Sequence, residues 1–297
     1  MQRSVPSTPE SVLRRLQWTV IRRLDGRLQG DYRTLLHGSG TDVADLREYA
    51  VGDDVRHIDW NLTARMDTPY VRTYLEDREL SAWLLLDRSA SMGFGRDDRA
   101  KDVVLAELAA TLARLLTRRG NLVGAILFNN AVERTFVPRS SRNHVLRLTK
   151  ELLSPPAPTG TSTNIADLLT AAAATIKRRS LLIIVSDFIS EPGWERPLSV
   201  LSQRHDVVAV RLFDPREREL PDAGVIVVED AETGELLSVD TSDPEFRQRF
   251  RAVNDAREAE IEATAKRARV DLHTISTDDD LVAALIRIVE LRRRRRR

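Results

Sequence analysis

The sequence predicts an α/β fold: a doubly wound, mainly parallel sheet with helices on both faces and one antiparallel edge strand, preceded by an N-terminal helix and an irregular segment. Three observations carry that expectation. Apolar runs of strand length, at Ser81–Asp87, Leu122–Phe128, Leu181–Ser186 and 207–213, read as strands buried on both faces. Helical apolar spacing fills the stretches between them, as an alternating α/β chain requires. Two of the runs deliver an aspartate, Asp87 and Asp187, to the strand ends where α/β sheets bind ligands.

Taken in order, residues 11–24 have the spacing of an amphipathic helix that stops before Asp25-Gly26. From 30 to 79 the chain is turn-rich, with Gly38, Gly40, Gly52 and Asp53-Asp54, and only 70–75 reads as extended. The strand at Ser81–Asp87 is followed by an amphipathic helix at 98–119, closed by Gly120. The strand at Leu122–Phe128 takes a shorter hairpin partner at 132–137, and helices follow at 141–153 and 164–178. Leu181–Ser186 and 207–213 are core strands. Segments 224–228 and 235–239 flank Glu232-Thr233-Gly234 and read as a hairpin on an antiparallel edge. A charged helix at 243–269, a strand at 270–275 and a helix at 278–291 complete the pattern. The expected organisation is a segment at 1–79 packed on the main domain, the α/β domain at 80–291 and a basic tail at 292–297.

Composition excludes several classes of function. With no cysteine among 297 residues, disulfides, thiolate metal sites and cysteine nucleophiles are ruled out. No apolar stretch near the N-terminus suits a signal peptide or membrane span, so a cytoplasmic protein is expected. The net charge of +1 includes +6 from the arginines at 292–297, leaving −5 for the rest of the chain. Such a run reads as a solvated tail, and the body has neither the basic excess nor the motifs of a nucleic-acid binder.

The chemistry concentrates in three oxygen-rich segments. Asp87-Arg88-Ser89-Ala90-Ser91 follows the first core strand; Thr159-Gly160-Thr161-Ser162-Thr163-Asn164 precedes a helix; Val185-Ser186-Asp187 ends another strand. If the two aspartate-bearing strands are neighbours, their carboxylates lie side by side at one edge, within reach of the threonine loop. Two carboxylates, three hydroxyls and water suit Mg²⁺, or the hard cations Mn²⁺ and Ca²⁺, with a coordination position left open.

Asp87-x-Ser89-x-Ser91, a distant threonine and a later strand-end aspartate resemble the metal-ion-dependent adhesion site of von Willebrand factor A domains. The resemblance implies a cation held by Asp87, Ser89, Ser91, Thr163 and Asp187, with Thr161 the alternative threonine. The upstream text narrows the match: His37-Gly-Ser-Gly40, Leu46-Arg-Glu-Tyr49, 52–60 (Gly-Asp-Asp-Val-Arg-His-Ile-Asp-Trp), Thr63-Ala-Arg65 and Tyr70-Val-Arg72. From about 25 to 250 the chain resembles a bacterial family catalogued as domain of unknown function fifty-eight, whose members are usually encoded beside MoxR-type AAA+ ATPases. That implies a von Willebrand A-like adaptor or co-chaperone whose metal takes an acidic residue from a protein partner. Many relatives carry N-terminal membrane spans, and this sequence shows none.

Other readings compete. Asp53, Asp54, His57 and Asp59 invite a metal-dependent hydrolase, but the surrounding Arg47, Arg56, Arg65 and Arg72 favour ion-paired structural carboxylates. Trp60 is expected as a buried anchor. A phosphoaspartate enzyme would need a second acid two positions after Asp87, where Ser89 stands and cannot serve. The five histidines show no ligand spacing, and no Walker or Gly-x-Gly-x-x-Gly loop is present.

Overall fold

The computed structural model describes residues 45–50, 53, 55, 58–66, 68–73, 81–96, 98–118, 120–156, 164–229 and 235–295. They belong to two compact units, one within His37–Glu79 and the other from Leu80 onward. The expected helix at 11–24 lies outside the described residues.

In the smaller unit β1 (Asp45–Glu48) pairs antiparallel with β2 (Tyr70–Thr73), and α1 (Trp60–Met66) lies between them in sequence. Asp59 starts this helix by accepting the backbone N–H groups of Asn61 and Leu62 at 3.0 and 3.1 Å, as an N-cap does. No residue of α1 is buried, and Trp60 is 69% exposed. The expectation of a buried anchor is therefore corrected: Trp60 occupies the first position of a short helix none of whose residues is buried.

Among the described residues the central sheet of the larger unit has six strands: β3 (Ser81–Asp87), β4 (Leu122–Phe128), β5 (Val132–Arg139), β6 (Leu181–Ser186), β7 (Asp206–Phe213) and, after a separate hairpin, β10 (Asp271–Ser276). Their order in the sheet is β10-β7-β6-β3-β4-β5, all parallel except β5. This is the doubly wound, mainly parallel sheet with one antiparallel edge that the sequence predicts. The helices are α2 (Lys101–Thr117), α3 (Arg142–Leu152), α4 (Ile165–Thr175), α5 (Glu195–Arg204), α6 (Pro244–Arg267) and α7 (Leu281–Arg295).

Strand alternation divides the core. Leu84 and Leu86 point to one face and pack with Leu108 of α2, Leu148 of α3 and Leu285 of α7. Trp83 and Leu85 point to the other and pack with Leu168 of α4, Leu198 of α5 and Ile261 of α6. A strand apolar on both faces gains burial only between two helix layers, which is why β3 reads as a continuous apolar run. At about 25 cal/mol per Å², covering such a strand twice is a principal source of stability.

Among the departures from the sequence reading, four change how the unit is put together. The helix α5 between β6 and β7 goes unpredicted; it is the crossover that two neighbouring parallel strands require, and Leu198 and Leu201 are its buried side. The helix expected from 98 begins at Lys101; just before it, the Arg99 N–H donates to Arg96 O at 2.8 Å. The Arg99 guanidinium there binds the carbonyls of Thr277 and Asp279. The hairpin of β8 (Val225–Glu229) and β9 (Leu236–Asp240) pairs only with itself among the described residues, and the antiparallel edge is β5. Finally, α7 extends into the arginine run. Helical periodicity turns Arg292 inward, where it is 3% exposed and donates to both carboxylate oxygens of Asp206 at 2.9 Å.

Gly124 of β4 faces Trp83 of β3 across the parallel ladder. A Cβ there would lie 2.8 Å from Trp83 Cε3 and 3.0 Å from the Phe136 carbonyl oxygen. Gly124→Ala should therefore cost about 1–3 kcal/mol by overpacking, read as a lower denaturant midpoint. Adding Trp83→Leu, which removes the ring the methyl meets, should recover part of that loss.

Candidate metal centre

Parallel pairing of β3 with β6 brings their carboxyl ends together. Leu86 pairs with Val185, so Asp87 and Ser186 come next in register. The Ser186 hydroxyl donates to Asp87 Oδ2 at 2.6 Å, and the Ser89 N–H donates to Asp87 Oδ1 at 2.9 Å. The second bond is an Asx turn, the local geometry for which aspartate at a strand end is suited. It bends the chain so that Ser89 and Ser91 stand with their hydroxyl oxygens 3.1 Å apart.

Asp187 continues β6 by one residue. Its Oδ1 accepts the Ile189 N–H at 2.9 Å, and Oδ2 accepts the Lys101 ammonium at 2.7 Å. The intervening Phe188 has φ of 58°, in the left-handed region, which a bulky side chain enters only when its surroundings hold it there. Its N–H donates to the Ser186 hydroxyl at 2.8 Å, and its ring packs on Trp194 at 5.4 Å between centroids. Ser190, further along the same loop, accepts the Ile165 N–H at 2.9 Å and so ties the start of α4 to this edge.

Electrostatics follow from burial. Asp87 is 2% exposed and Asp187 1%. Desolvation, and then the charge of Asp187, push the Asp87 carboxyl up to about 6, although the Ser186 and Ser89 hydrogen bonds favour its charged form. Lys101 is fully buried and reaches Glu217 Oε1 at 2.5 Å as well as Asp187. Burial alone would lower the Lys101 pKa, but the charges of Asp187 and Glu217 more than offset it and hold the ammonium above its ordinary value.

Of the five residues expected to hold a cation, Asp87, Ser89, Ser91 and Asp187 belong to one edge of the sheet. Thr163 and its alternative Thr161 lie outside the described residues; Asn164, the next residue, caps α4 by accepting the Ala166 N–H at 3.0 Å. The donor set fits a hard cation. Two cis ligands of an octahedral Mg²⁺, at 2.0–2.1 Å each, stand about 3 Å apart, and the Ser89 and Ser91 hydroxyls have that separation. Each carboxylate oxygen accepts a hydrogen bond, and an ionised carboxylate has about four acceptor sites, so the pair retains oxygen lone pairs for a cation. Among the described residues no group of three or more His, Asp or Glu side chains is placed to hold a metal, so a cation here would have to rest on two carboxylates with hydroxyls and water. Ser89 is buried and Ser91 half-buried, and Ser91 lines an open groove of about 640 Å³ between the 188–195 loop and α6.

The sequence reading missed Ser186, Phe188 and Lys101. Ser186 is adjacent to Asp187 and was legible as a further oxygen. Lys101 had a fainter signal: it is one of only four lysines (101, 150, 177 and 266) among 46 basic residues. In the rival carboxylate cluster, Asp53 pairs with Arg47 at 2.5 Å and accepts the Ala50 N–H, and Asp59 caps α1. Both serve structure. Asp54 and His57 lie outside the described residues.

The match to known proteins follows this geometry. Residues 45–260 match the family described as "Protein of unknown function DUF58", and the chain belongs to that family. It is 36% identical over 285 residues to Uncharacterized protein Rv1480 of Mycobacterium tuberculosis and to Uncharacterized protein Mb1516 of Mycobacterium bovis, covering 96% of this chain and 90% of each relative. Among solved structures it is similar to the hypothetical protein BatB from Bacteroides thetaiotaomicron, at 15% identity and a TM-score of 0.46 over 72% of this chain and 99% of that one. It is also similar to the vWF domain of the pilus tip protein Mfa5 from Porphyromonas gingivalis, at 13% identity and a TM-score of 0.37 over 71% and 94%. Among the described residues no helix is long and apolar enough to cross a membrane.

The raised Asp87 pKa makes a signed prediction. In the folded state the carboxyl holds its proton up to about 6, against 3.8 ordinarily, so its charge opposes folding above about pH 6 and has no effect well below pH 3.8. Without divalent cations, Asp87→Asn should stabilise the protein at pH 8 by on the order of 2 kcal/mol. The gain should fade as the solution is made acidic, which a series of thermal midpoints against pH would follow.

Proposed function

We propose that this protein is a divalent-cation-dependent protein-binding module and not an enzyme. The observation that carries the reading is the pair of serine hydroxyls 3.1 Å apart beside a buried aspartate, at the carboxyl edge of a parallel sheet. Asp87, Ser89, Ser91, Thr163 and Asp187 would hold the cation, with Mg²⁺ favoured and Mn²⁺ or Ca²⁺ as substitutes. When bound, the cation supplies a coordination position that a carboxylate from a partner protein can fill. The chain's own residues do the rest. Asp87 and Asp187 supply the negative charge, the Asx turn at Ser89 aims the hydroxyls, and Ser186 fixes the Asp87 carboxylate.

A general acid-base role is poorly supported, because Ser89 occupies the position where a strand-end phosphotransfer aspartate would need a second acid. The rival hydrolase reading, through residues 52–60 or the Asp87 site, loses ground because Asp53 and Asp59 are committed to an arginine and a helix cap. The family resemblance suggests a partner class: a MoxR-type AAA+ ATPase, for which this chain serves as cytoplasmic adaptor or co-chaperone.

Titration of the partner ATPase in Mg²⁺ and then in EDTA tests the reading. Affinity should fall at least ~tenfold on chelation, the loss of one charge-assisted contact. Asp87→Ala should bind weakly in both buffers while keeping its far-ultraviolet circular dichroism. Equal affinity with and without metal would sink the proposal. Turnover of a phosphoester or peptide that disappears in Asp59→Ala would favour the hydrolase instead.

A further inference from the structure

Lys101 is the first residue of α2, yet it is fully buried, and its ammonium bonds Asp187 Oδ2 at 2.7 Å and Glu217 Oε1 at 2.5 Å. Lysines at helix starts normally stand in water, and near the positive end of the helix dipole a cation gains nothing from the backbone. The position is therefore held by its two carboxylate partners. Both are brought to Lys101 from elsewhere in the chain, Asp187 from the end of β6 and Glu217 from the turn after β7. Glu217 is itself anchored, since Oε2 accepts the Asp214 N–H at 3.0 Å in a capping box. In a chain with 46 basic residues and only four lysines, this position carries a compact point charge that meets one oxygen of each partner.

We propose that Lys101 is a built-in counter-ion of the metal centre that sets its cation affinity, with Glu217 dividing its charge. The inference rests on the cation-site reading above. Asp87 and Asp187 alone would present two negative charges at this edge. The ammonium cancels one of them from the protein side and occupies a lone pair of Asp187 Oδ2. Without a metal, this lessens the repulsion between two adjacent buried carboxylates, so the corner stays assembled. With a metal, the same ammonium repels the incoming cation and leaves Asp187 a weaker donor. Glu217 moderates both effects: by drawing part of the Lys101 charge to itself it restores negative potential to the site. Affinity is thereby held below what the two aspartates could reach.

Two charge variants act in opposite directions. Lys101→Met keeps the length of the buried chain and removes its charge. Glu217→Gln keeps the acceptor of the capping box, removes a charge from a side chain that is 20% exposed, and leaves Lys101 to Asp187 alone. Mn²⁺ binding to the full chain, followed by the electron paramagnetic resonance signal of free Mn²⁺, should tighten at least ~tenfold in Lys101→Met and weaken severalfold in Glu217→Gln. As an independent readout, the thermal midpoint of Lys101→Met should fall in EDTA and be restored by Mg²⁺, a larger metal-dependent change than the unaltered protein shows. If Lys101→Met does not fold, the weaker binding of Glu217→Gln still decides the sign. Equal Mn²⁺ affinity in all three proteins, or the reverse order, would overturn the inference and leave the cation site standing. If none of the three binds millimolar Mn²⁺, the cation site fails and this inference with it.

Discussion

Asp87 and Asp187 end neighbouring parallel strands with carboxylates that water scarcely reaches, and the surrounding structure is arranged to tolerate them. An unpaired buried carboxylate is prohibitively costly, so each of the four oxygens has a donor: Ser89 N–H, the Ser186 hydroxyl, Ile189 N–H and the Lys101 ammonium. Those donors come from the loop after β3, the last residue of β6 and the loop that follows it, and the start of α2. The conformations of these segments, including the left-handed Phe188, serve one electrostatic requirement.

The fold makes that requirement possible. Parallel strands present their carboxyl ends on one side of the sheet, and two helix layers exclude water from the sheet's faces up to that edge. Trp83 crossing over Gly124 and the Arg88 guanidinium reaching Glu133 brace β3 and the loop after it against β4 and β5. A site on such supports needs little rearrangement to take a ligand, which suits recognition. The groove beginning at Ser91 leaves it accessible from one side.

Charge economy distinguishes this corner from a simple pair of aspartates. The Lys101 ammonium, shared with Glu217, leaves the edge less acidic than its two aspartates suggest. On the proposed reading, a carboxyl-edge site balanced internally in this way would persist whether or not a cation is present. In a site built only from acids, by contrast, folding and metal loading are coupled. The same economy recurs at the other end of the sheet, where Arg292 is turned inward onto Asp206.

Much of this was legible in the residues. Continuous apolar runs specify strands buried on both faces, because no single-sided sheet would reward them. Asp87, Ser89, Ser91 and Asp187 were identifiable because aspartate and serine cluster where strands give way to turns. What could not be read were relations between distant segments. The helix α5 exists because two parallel strands need a crossover, and its apolar signal of Leu198 and Leu201 is short. Trp60 looked like an anchor because tryptophan usually is one, and only the short, unburied helix it begins leaves it exposed. The hairpin at β8 and β9 carries strand-like aliphatics, yet pairing with itself instead of the sheet depends on which edges are open.

Amino-acid order alone thus determined the fold class and the oxygen donors at the strand ends, since both follow from local patterning over a few residues. Tertiary structure decided how those donors are charged. Lys101 lies fourteen residues after Asp87 in sequence and among ordinary helix residues, and nothing local marks it as buried. It becomes part of the site only because the sheet order places β6 beside β3 and the turn after β7 carries Glu217 to the same corner. Charge interactions act through space, so their partners are chosen by topology and not by proximity along the chain.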